Sequence, residues 1–169
     1  MLHWHEVKKT DKTAVGLADL HYSRGKIGSR EIGPPGQKVV LLTPNGESVW
    51  GSHRPAPWTE AKRMDGFVGS SCFLFRNDNY SAALASELIR EAVGYTASLW
   101  GVEPWITYVA RDKVKPVMVH GKHCPGWTYL KAGFHYVSTK EKTKHGPMDR
   151  LEMDDDEVLL CLAEYLQKI

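Results

Sequence analysis

A long amphipathic helix is predicted for residues 81–100, and it is the strongest constraint on the fold. Its apolar stripe consists of residues at helical spacing: Leu84, Leu88, Ala92, Tyr95 and Leu99. Gly101 and Pro104 follow, as is common where a helix ends. Because β-rich runs lie on both sides, at residues 67–75 and 105–110, the centre of the chain is predicted to fold as strand, helix and strand.

Shorter elements are predicted around this central unit. They are a helix at 11–20, a hairpin of strands at 38–43 and 48–52, a short helix at 126–132, strands at 134–139 and 148–153, and a closing helix at 155–167. This order is too interleaved for an all-β fold and too rich in paired strands for a doubly wound sheet. We therefore expect an α/β fold with a mixed sheet flanked by helices, with residues 1–169 as a single domain.

Length and composition suit such a globular unit. The chain has 169 residues, of which 42% are hydrophobic and 25% charged. No apolar run approaches the roughly 18 residues of a membrane span, and the first residues lack a signal-peptide apolar region. Cys72, Cys124 and Cys161 are widely spread, which fits a reducing compartment. We expect a cytoplasmic protein with no membrane contact.

Charge is segregated along the chain although the net charge is only +2. Residues 111–150 carry nine basic and three acidic side chains, and Trp127, Tyr129 and Tyr136 are interspersed among them. Cations mixed with stacking faces are typical of nucleic-acid-binding surfaces. A solvated face with ordinary loops has the same composition, so both interpretations stay open.

The pattern Tyr-x-Lys-x-Gly-Phe at residues 129–134, after the strand, helix and strand unit, resembles the core of GNAT acyltransferases. Further motifs are similar to the phage Mom-like branch of that superfamily: Leu20-His21-Tyr22-Ser23-Arg24, Pro34-Pro35-Gly36, Leu41-Leu42-Thr43-Pro44, Phe75-Arg76-Asn77, residues 86–92 and Asp112-Lys113-Val114. The resemblance covers roughly residues 17–140. Members of this branch modify bases in phage DNA.

The resemblance implies an N-acyltransferase that moves an acyl group, expected to be acetyl, from acyl-CoA to an amine on a DNA base. The expected acceptor is a 5-aminomethyl-pyrimidine. One alternative is a Mom-type, iron-dependent modification of adenine. Another is a non-catalytic DNA-binding module on a degenerate GNAT fold. The oligomeric state is not predicted.

Four residues are predicted to carry the chemistry. An alkylamine with a pKa of about 9 to 10 must lose a proton before it attacks a thioester, and His21 is the candidate base. Tyr22 beside it can contribute hydrogen bonds, Tyr129 is the candidate acid for the departing thiolate, and Asp112 could orient a cation or a base. Each also has a structural alternative: His21 as a helix-end residue, Tyr129 as packing and Asp112 as a strand cap.

The donor is expected to bind at the end of the strand at 67–75. A backbone N–H near Phe73 or Phe75 would polarise the thioester carbonyl. Arg76, Asn77, Ser81 and Ala82 replace the glycine-containing pyrophosphate loop of the family, so free N–H groups at the helix start, with Ser81 as cap, would bind the phosphates. This interpretation requires the two central strands to diverge within reach of His21.

Several residues are predicted to contact DNA: Ser23, Arg24, Trp58, Trp127, Lys140, Lys142 and Lys144. The tryptophans could stack on a base that has been rotated out of the duplex, although ordinary packing is an alternative for each. His120-x-x-His123-Cys124 and His3-x-His5 contain metal-ligand types but match no established zinc pattern. No metal site is predicted, and iron is needed only for the adenine alternative.

Overall fold

The computed structural model describes residues 1–56, 65–115 and 117–169. The strands are β1 (His5–Val7), β2 (Gln37–Leu42), β3 (Ser48–Arg54), β4 (Ser70–Asn77), β5 (Trp105–Ala110), β6 (Met118–Val119), β7 (Lys122–His123), β8 (His135–Lys140) and β9 (Met148–Met153). The helices are α1 (Lys12–Asp19), α2 (Ala85–Trp100), α3 (Trp127–Lys131) and α4 (Asp155–Leu166).

Seven strands form one sheet in the order β1-β2-β3-β4-β5-β9-β8, and β6 pairs with β7 in a small separate hairpin. All neighbours in the large sheet are antiparallel except β4 and β5, which are parallel. Parallel strands need a crossover, which α2 supplies. The predicted α/β architecture with a mixed sheet flanked by helices is therefore confirmed.

The helices cover both faces of the sheet, as the alternation of side chains along β2 illustrates. Val39 and Leu41 belong to the core that contains α2 and α4, whereas Val40 and Leu42 pack with Ala14 and Ala18 of α1. Gly94 of α2 lies against the Cys161 carbonyl of α4 with no room for a Cβ atom. This close contact explains a glycine within an otherwise regular helix.

The start of α2 differs from the prediction. The helix begins at Ala85, four residues later than expected, because the Leu84 N–H donates to Glu87 Oε2 at 2.8 Å and fixes the first turn there. Ser81 is therefore not its cap, and that prediction was wrong. β4 likewise begins at Ser70 instead of residue 67 and runs on to Asn77. The short strands β1, β6 and β7 were not predicted.

The N-terminus of α1 agrees with the sequence. Asp11 Oδ1 accepts a hydrogen bond from the Ala14 N–H at 3.0 Å, which makes Asp11 the N-cap. In the described residues, no helix is both long enough and apolar enough to cross a membrane. The helix α1 leads directly into residues 20–23, which reach the centre of the sheet.

Candidate functional site

The central strands β4 and β5 diverge after three paired residues. Register partners are Ser70 with Trp105, Ser71 with Ile106 and Cys72 with Thr107. Thr107 Oγ1 also donates to the Cys72 carbonyl at 3.2 Å. β4 then continues to Asn77 and β5 to Ala110 with no further pair between them in the described residues. The strands enclose a wedge-shaped gap, which is the divergence that the sequence interpretation required.

A bulge in β4 lies at the point where the gap begins. Ser52 of β3 pairs with Cys72, whereas Gly51 pairs with Leu74, so Phe73 is an extra residue on β4. A bulge bends its strand and increases the local twist. The Phe73 ring covers Gly51 so closely that a Cβ atom there would collide with it. The bulge thus turns β4 away from β5 and is held by this contact.

Residues 20–23 bridge the two diverging strands. The Tyr22 hydroxyl donates to the Tyr108 carbonyl at 3.1 Å and accepts from the Ala110 N–H at 3.3 Å, so it replaces a strand partner on β5. Ser23 Oγ donates to the Phe73 carbonyl of β4 at 2.9 Å. The segment therefore spans the gap, with Tyr22 on one edge and Ser23 on the other.

His21 lies on this bridge, stacked on Tyr22 with ring centroids 4.3 Å apart. Burial, with smaller contributions from the positive charges of Arg76 and His145, lowers the pKa of His21 to about 4. The imidazole is therefore neutral at physiological pH. A base with so low a pKa accepts a proton only from a strongly acidic group.

The hydrogen bonds of His21 depend on its tautomer. Nδ1 lies 3.1 Å from the Ser23 N–H and 2.7 Å from Ser23 Oγ. If Nδ1 accepts from the amide, the hydrogen is on Nε2. If Nδ1 carries the hydrogen and donates to Ser23 Oγ, the bond from the Ser23 N–H is lost, the hydroxyl still donates to the Phe73 carbonyl, and the Nε2 lone pair is free to accept a proton. The proposed proton transfer to Nε2 uses this second tautomer.

Tyr129 reaches the gap from α3. Its hydroxyl lies 3.5 Å from Cys72 Sγ, and its ring meets Phe75 and Phe134 edge to face at centroid distances of 6.2 and 5.4 Å. Burial, followed by the neighbouring Cys72, raises the pKa of Tyr129 well above its ordinary value. The side chain stays a neutral phenol and can donate a hydrogen bond at the vertex of the gap.

Two cavities meet at the gap and share His21, Tyr22, Phe75 and Tyr129 in their walls. The larger, of about 620 Å³, extends between the end of β4, α3 and the loop after β5. The smaller, of about 270 Å³, has Cys72 and Thr107 in its wall, together with Lys144 and His145 of the β8–β9 hairpin. The arrangement can bring two different molecules to one point.

The β8–β9 hairpin is anchored by a buried carboxylate. Arg111 Nε lies 2.8 and 2.9 Å from the two carboxylate oxygens of Asp149, and Thr139 Oγ1 donates to the same side chain at 2.6 Å. His145 at the hairpin tip meets Tyr22 edge to face at 5.9 Å. Sequence reasoning missed His145, and its only signal was its position beside Lys144 in the basic stretch.

The residues predicted to bind the donor are only partly together. Phe75, Arg76 and Asn77 line the larger cavity, and Phe73 lines the smaller one. The Asn77 side chain holds the following turn, since its Oδ1 accepts from the Tyr80 N–H at 3.0 Å. A further pair, Ser81 and Ala82, is exposed in the loop before α2 and lines neither cavity.

Among the predicted DNA contacts, Lys140, Lys142 and Lys144 are exposed along β8 and the hairpin. The guanidinium of Arg24 already has protein partners: it donates to the Asp19 carboxylate at 2.6 Å and to the backbone carbonyls of Ser29 and Glu31. Its predicted role at DNA stays a prediction, and these contacts give it a role in holding the loop after α1.

Of the remaining predicted residues, Trp127 and Asp112 lie in different parts of the structure. Trp127 lines the larger cavity, away from Lys144, with Lys131 Nζ 5.5 Å from its ring centroid. Asp112 is exposed in the turn after β5, beside Gly146, and is not in the wall of either cavity. Trp58 lies outside the described residues.

Metal ligands do not cluster in residues 1–56, 65–115 and 117–169, where no group of three or more His, Cys, Asp or Glu side chains could hold an ion. His120 and His123 lie at the small β6–β7 hairpin.

Comparisons of the chain with protein-family models, curated proteins and solved structures found no match.

Proposed function

We propose that this protein is a GNAT-type N-acyltransferase that moves an acyl group, expected to be acetyl, from acyl-CoA to an amine on a DNA base. The single observation that carries the proposal is the gap between β4 and β5, where two cavities meet between His21 and Tyr129. Direct transfer between two substrates needs both of them at one reacting point, which this geometry supports.

In this proposal the thioester arm of the donor occupies the larger cavity and its carbonyl enters the gap. Beyond Cys72, no residue of β5 pairs with β4 in the described residues, and Ser23 occupies only the Phe73 carbonyl. Backbone N–H groups on that edge can donate to the carbonyl oxygen and stabilise the negative charge that develops as the amine attacks. The aromatic wall formed by Phe75 and Tyr129 keeps water from the reacting carbon.

The amine of the acceptor enters through the smaller cavity. Its nitrogen lone pair attacks the carbonyl carbon, and the tetrahedral intermediate then collapses with cleavage of the carbon–sulfur bond. His21 Nε2 accepts the proton that becomes acidic on the attacking nitrogen, and Tyr129 donates a hydrogen bond to the departing sulfur. A thiol with a pKa of about 8.5 is a good leaving group, so the phenol assists without having to ionise.

The electrostatics of the smaller cavity determine the form in which the amine must arrive. Of the described residues in its wall none is acidic, and Lys144 and His145 are potential cations. A charged ammonium is repelled there, and the His21 imidazole, with a pKa of about 4, is too weak a base to deprotonate it. The amine therefore enters as the free base.

A pH profile tests this point. We expect kcat/KM to rise about tenfold per pH unit below the pKa of the acceptor amine, because only the free base reacts. His21 is already neutral above about pH 5 and adds no inflection near pH 6.5. The measurement is the rate between pH 5 and 9 with two soluble amines of different pKa. An inflection near 6.5 that is the same for both amines would contradict the lowered pKa of His21 and the requirement that the amine enters as the free base.

The preference for DNA as acceptor rests on the hairpin. Lys144 lines the smaller cavity, and Lys140 and Lys142 are exposed on the same hairpin, where phosphate groups of a duplex could bind while one base enters. An aminomethyl group on a pyrimidine suits the chemistry. The exocyclic amine of adenine is a poorer nucleophile, because its lone pair is delocalised into the ring.

Charge reversal of the hairpin tests this surface. Replacing Lys140, Lys142 and Lys144 with Glu should weaken DNA binding and reduce the slope of log K against log salt by roughly 2 to 3 units. The pair Lys8→Glu and Lys12→Glu, at exposed positions near α1, is the control for a general charge effect. Titrations at several salt concentrations give the slopes, and an unchanged slope in the triple variant would exclude this surface as the DNA contact.

A non-catalytic DNA-binding protein is the second candidate, and one observation favours it. The Glu87 carboxylate lies at the N-terminus of α2, where a phosphate of acyl-CoA was expected.

One experiment distinguishes the acyltransferase from the binding protein. The protein is incubated with acetyl-CoA and DNA that contains 5-aminomethyl-pyrimidine, and the nucleosides are then analysed by mass spectrometry. We expect acetylation of the aminomethyl group. An adduct on adenine would contradict the preferred acceptor, and no adduct together with no acetyl-CoA binding by calorimetry would favour the binding protein.

A further inference from the structure

The side of the larger cavity near α2 is unfavourable for phosphate. A helix N-terminus binds anions through its free N–H groups and the positive end of its dipole. Here the Glu87 carboxylate accepts from the Leu84 N–H at 2.8 Å and brings its own negative charge. Arg76 lines the same cavity, but its guanidinium is paired with Asp78 at 2.7 Å. This wall carries little net positive charge.

The opposite wall is different. Lys113 and Lys115 follow β5 and line the same cavity, and neither forms an ion pair in the part of the chain that the structure describes. The Lys113 N–H donates to the Ala110 carbonyl at 3.0 Å, so the chain turns directly after the strand. Val114, between the two lysines, packs against the core. This packing fixes the backbone that carries both cations.

Part of the remaining wall of this cavity is apolar. Phe75, Val109, Val114 and Val117 line it, and Trp127 stands at the side of α3. A ligand that fits must therefore have an uncharged arm directed to the gap and an anionic group near the loop after β5. This is the chemistry of a phosphate-bearing thioester.

We propose that the phosphate groups of the donor bind Lys113 and Lys115, on the loop after β5, and that the N-terminus of α2 does not bind them. The inference rests on the proposed acyltransferase function and names the residues that would hold its donor. In this arrangement the missing glycines between β4 and α2 are no obstacle, because that loop does not contact phosphate.

The experiment compares two donors and four forms of the protein. Acetyl-CoA carries phosphates, whereas S-acetylpantetheine has the same thioester arm without them. Calorimetry with acetyl-CoA and turnover with both donors are measured for the wild type, the double variant Lys113→Ala/Lys115→Ala, the isosteric Glu87→Gln and the control Lys8→Ala/Lys12→Ala. Glu87→Gln keeps an oxygen for the Leu84 N–H and removes only the charge.

We expect the Lys113→Ala/Lys115→Ala variant to bind acetyl-CoA about tenfold more weakly, since two exposed charge pairs are lost. Its kcat/KM with S-acetylpantetheine should match that of the wild type. Glu87→Gln and the control should change acetyl-CoA affinity less than about twofold, as expected for surface changes away from the ligand.

Unchanged acetyl-CoA affinity in the lysine variant, or clearly tighter binding in Glu87→Gln, would overturn the inference while the acyltransferase proposal stands. A wild type that neither binds acetyl-CoA nor uses S-acetylpantetheine would overturn both. An equal loss of kcat/KM for both donors in the lysine variant would also overturn the inference, because it would indicate a damaged fold or reacting centre.

Discussion

Replacing His21 with Ala is expected to lower kcat/KM for acyl transfer by about 100-fold or more, the usual range for a proton acceptor held beside the reacting atoms. The bridge that carries His21 should survive, because Tyr22 still binds the backbone of β5 and Ser23 still binds β4. We therefore expect the thermal midpoint to change little. Acetyl transfer rates at pH 7 and thermal melts of the same samples check both statements.

A matched control separates this effect from a general loss of histidine. His135→Ala removes an exposed imidazole from β8, outside the walls of both cavities, and should leave the rate unchanged. Ser23→Ala removes the hydroxyl beside Nδ1 and should lower the rate less than His21→Ala does. Full activity of His21→Ala would remove the role that we assign to this residue.

The largest loss of stability is expected for Glu91→Ala. Glu91 is a buried side chain of α2, 3% exposed, and its carboxylate accepts from the His3 N–H at 2.6 Å and binds Lys168 Nζ at 2.8 Å. Removing it leaves the buried Trp4 N–H and the partly buried His3 N–H without this acceptor and removes one link between each chain end and α2. We expect the free energy of unfolding to fall by about 3 kcal/mol, measured by urea denaturation.

Two further variants identify the cause of that loss. Lys168→Met removes one partner that is partly exposed and should cost less than Glu91→Ala. Glu91→Gln retains an oxygen for the His3 N–H and should fall between them. If Glu91→Ala costs no more than a typical surface substitution, about 0.5 kcal/mol, the carboxylate does not hold the chain ends to the helix.

Most of the fold was predictable because its elements have strong local patterns. The helical periodicity of α2, the turn between β2 and β3 and the acidic first turn of α4 each predict their element from neighbouring residues. The predicted stripe of α2 was wrong at its two ends, because Leu84 and Leu99 are exposed and the buried face contains Ile89 and Val93 instead. The start of α2 was not predictable from a cap residue, since Leu84 has no capping side chain and Glu87 acts from three residues later. β1 has only three residues and is defined by pairing with β2, far along the chain.

The candidate site was predictable only in part. His21, Tyr22 and Tyr129 line the gap, as their motifs suggested. The bridge of residues 20–23 depends on hydrogen bonds from Ser23 to Phe73 and from Tyr22 to Tyr108, 50 and 86 residues further along the chain, which no local pattern reveals. Arg24 shows the opposite problem. A lone arginine in a loop suggests a free cation, but Asp19 and two carbonyl groups occupy its guanidinium.

A crystal structure with acetyl-CoA tests the central claim most directly. We predict the thioester carbonyl between β4 and β5, within hydrogen-bond distance of a backbone N–H near Phe73 or Phe75, with the sulfur on the side of Tyr129. Acetyl-CoA bound elsewhere, with its thioester outside this gap, would contradict the account.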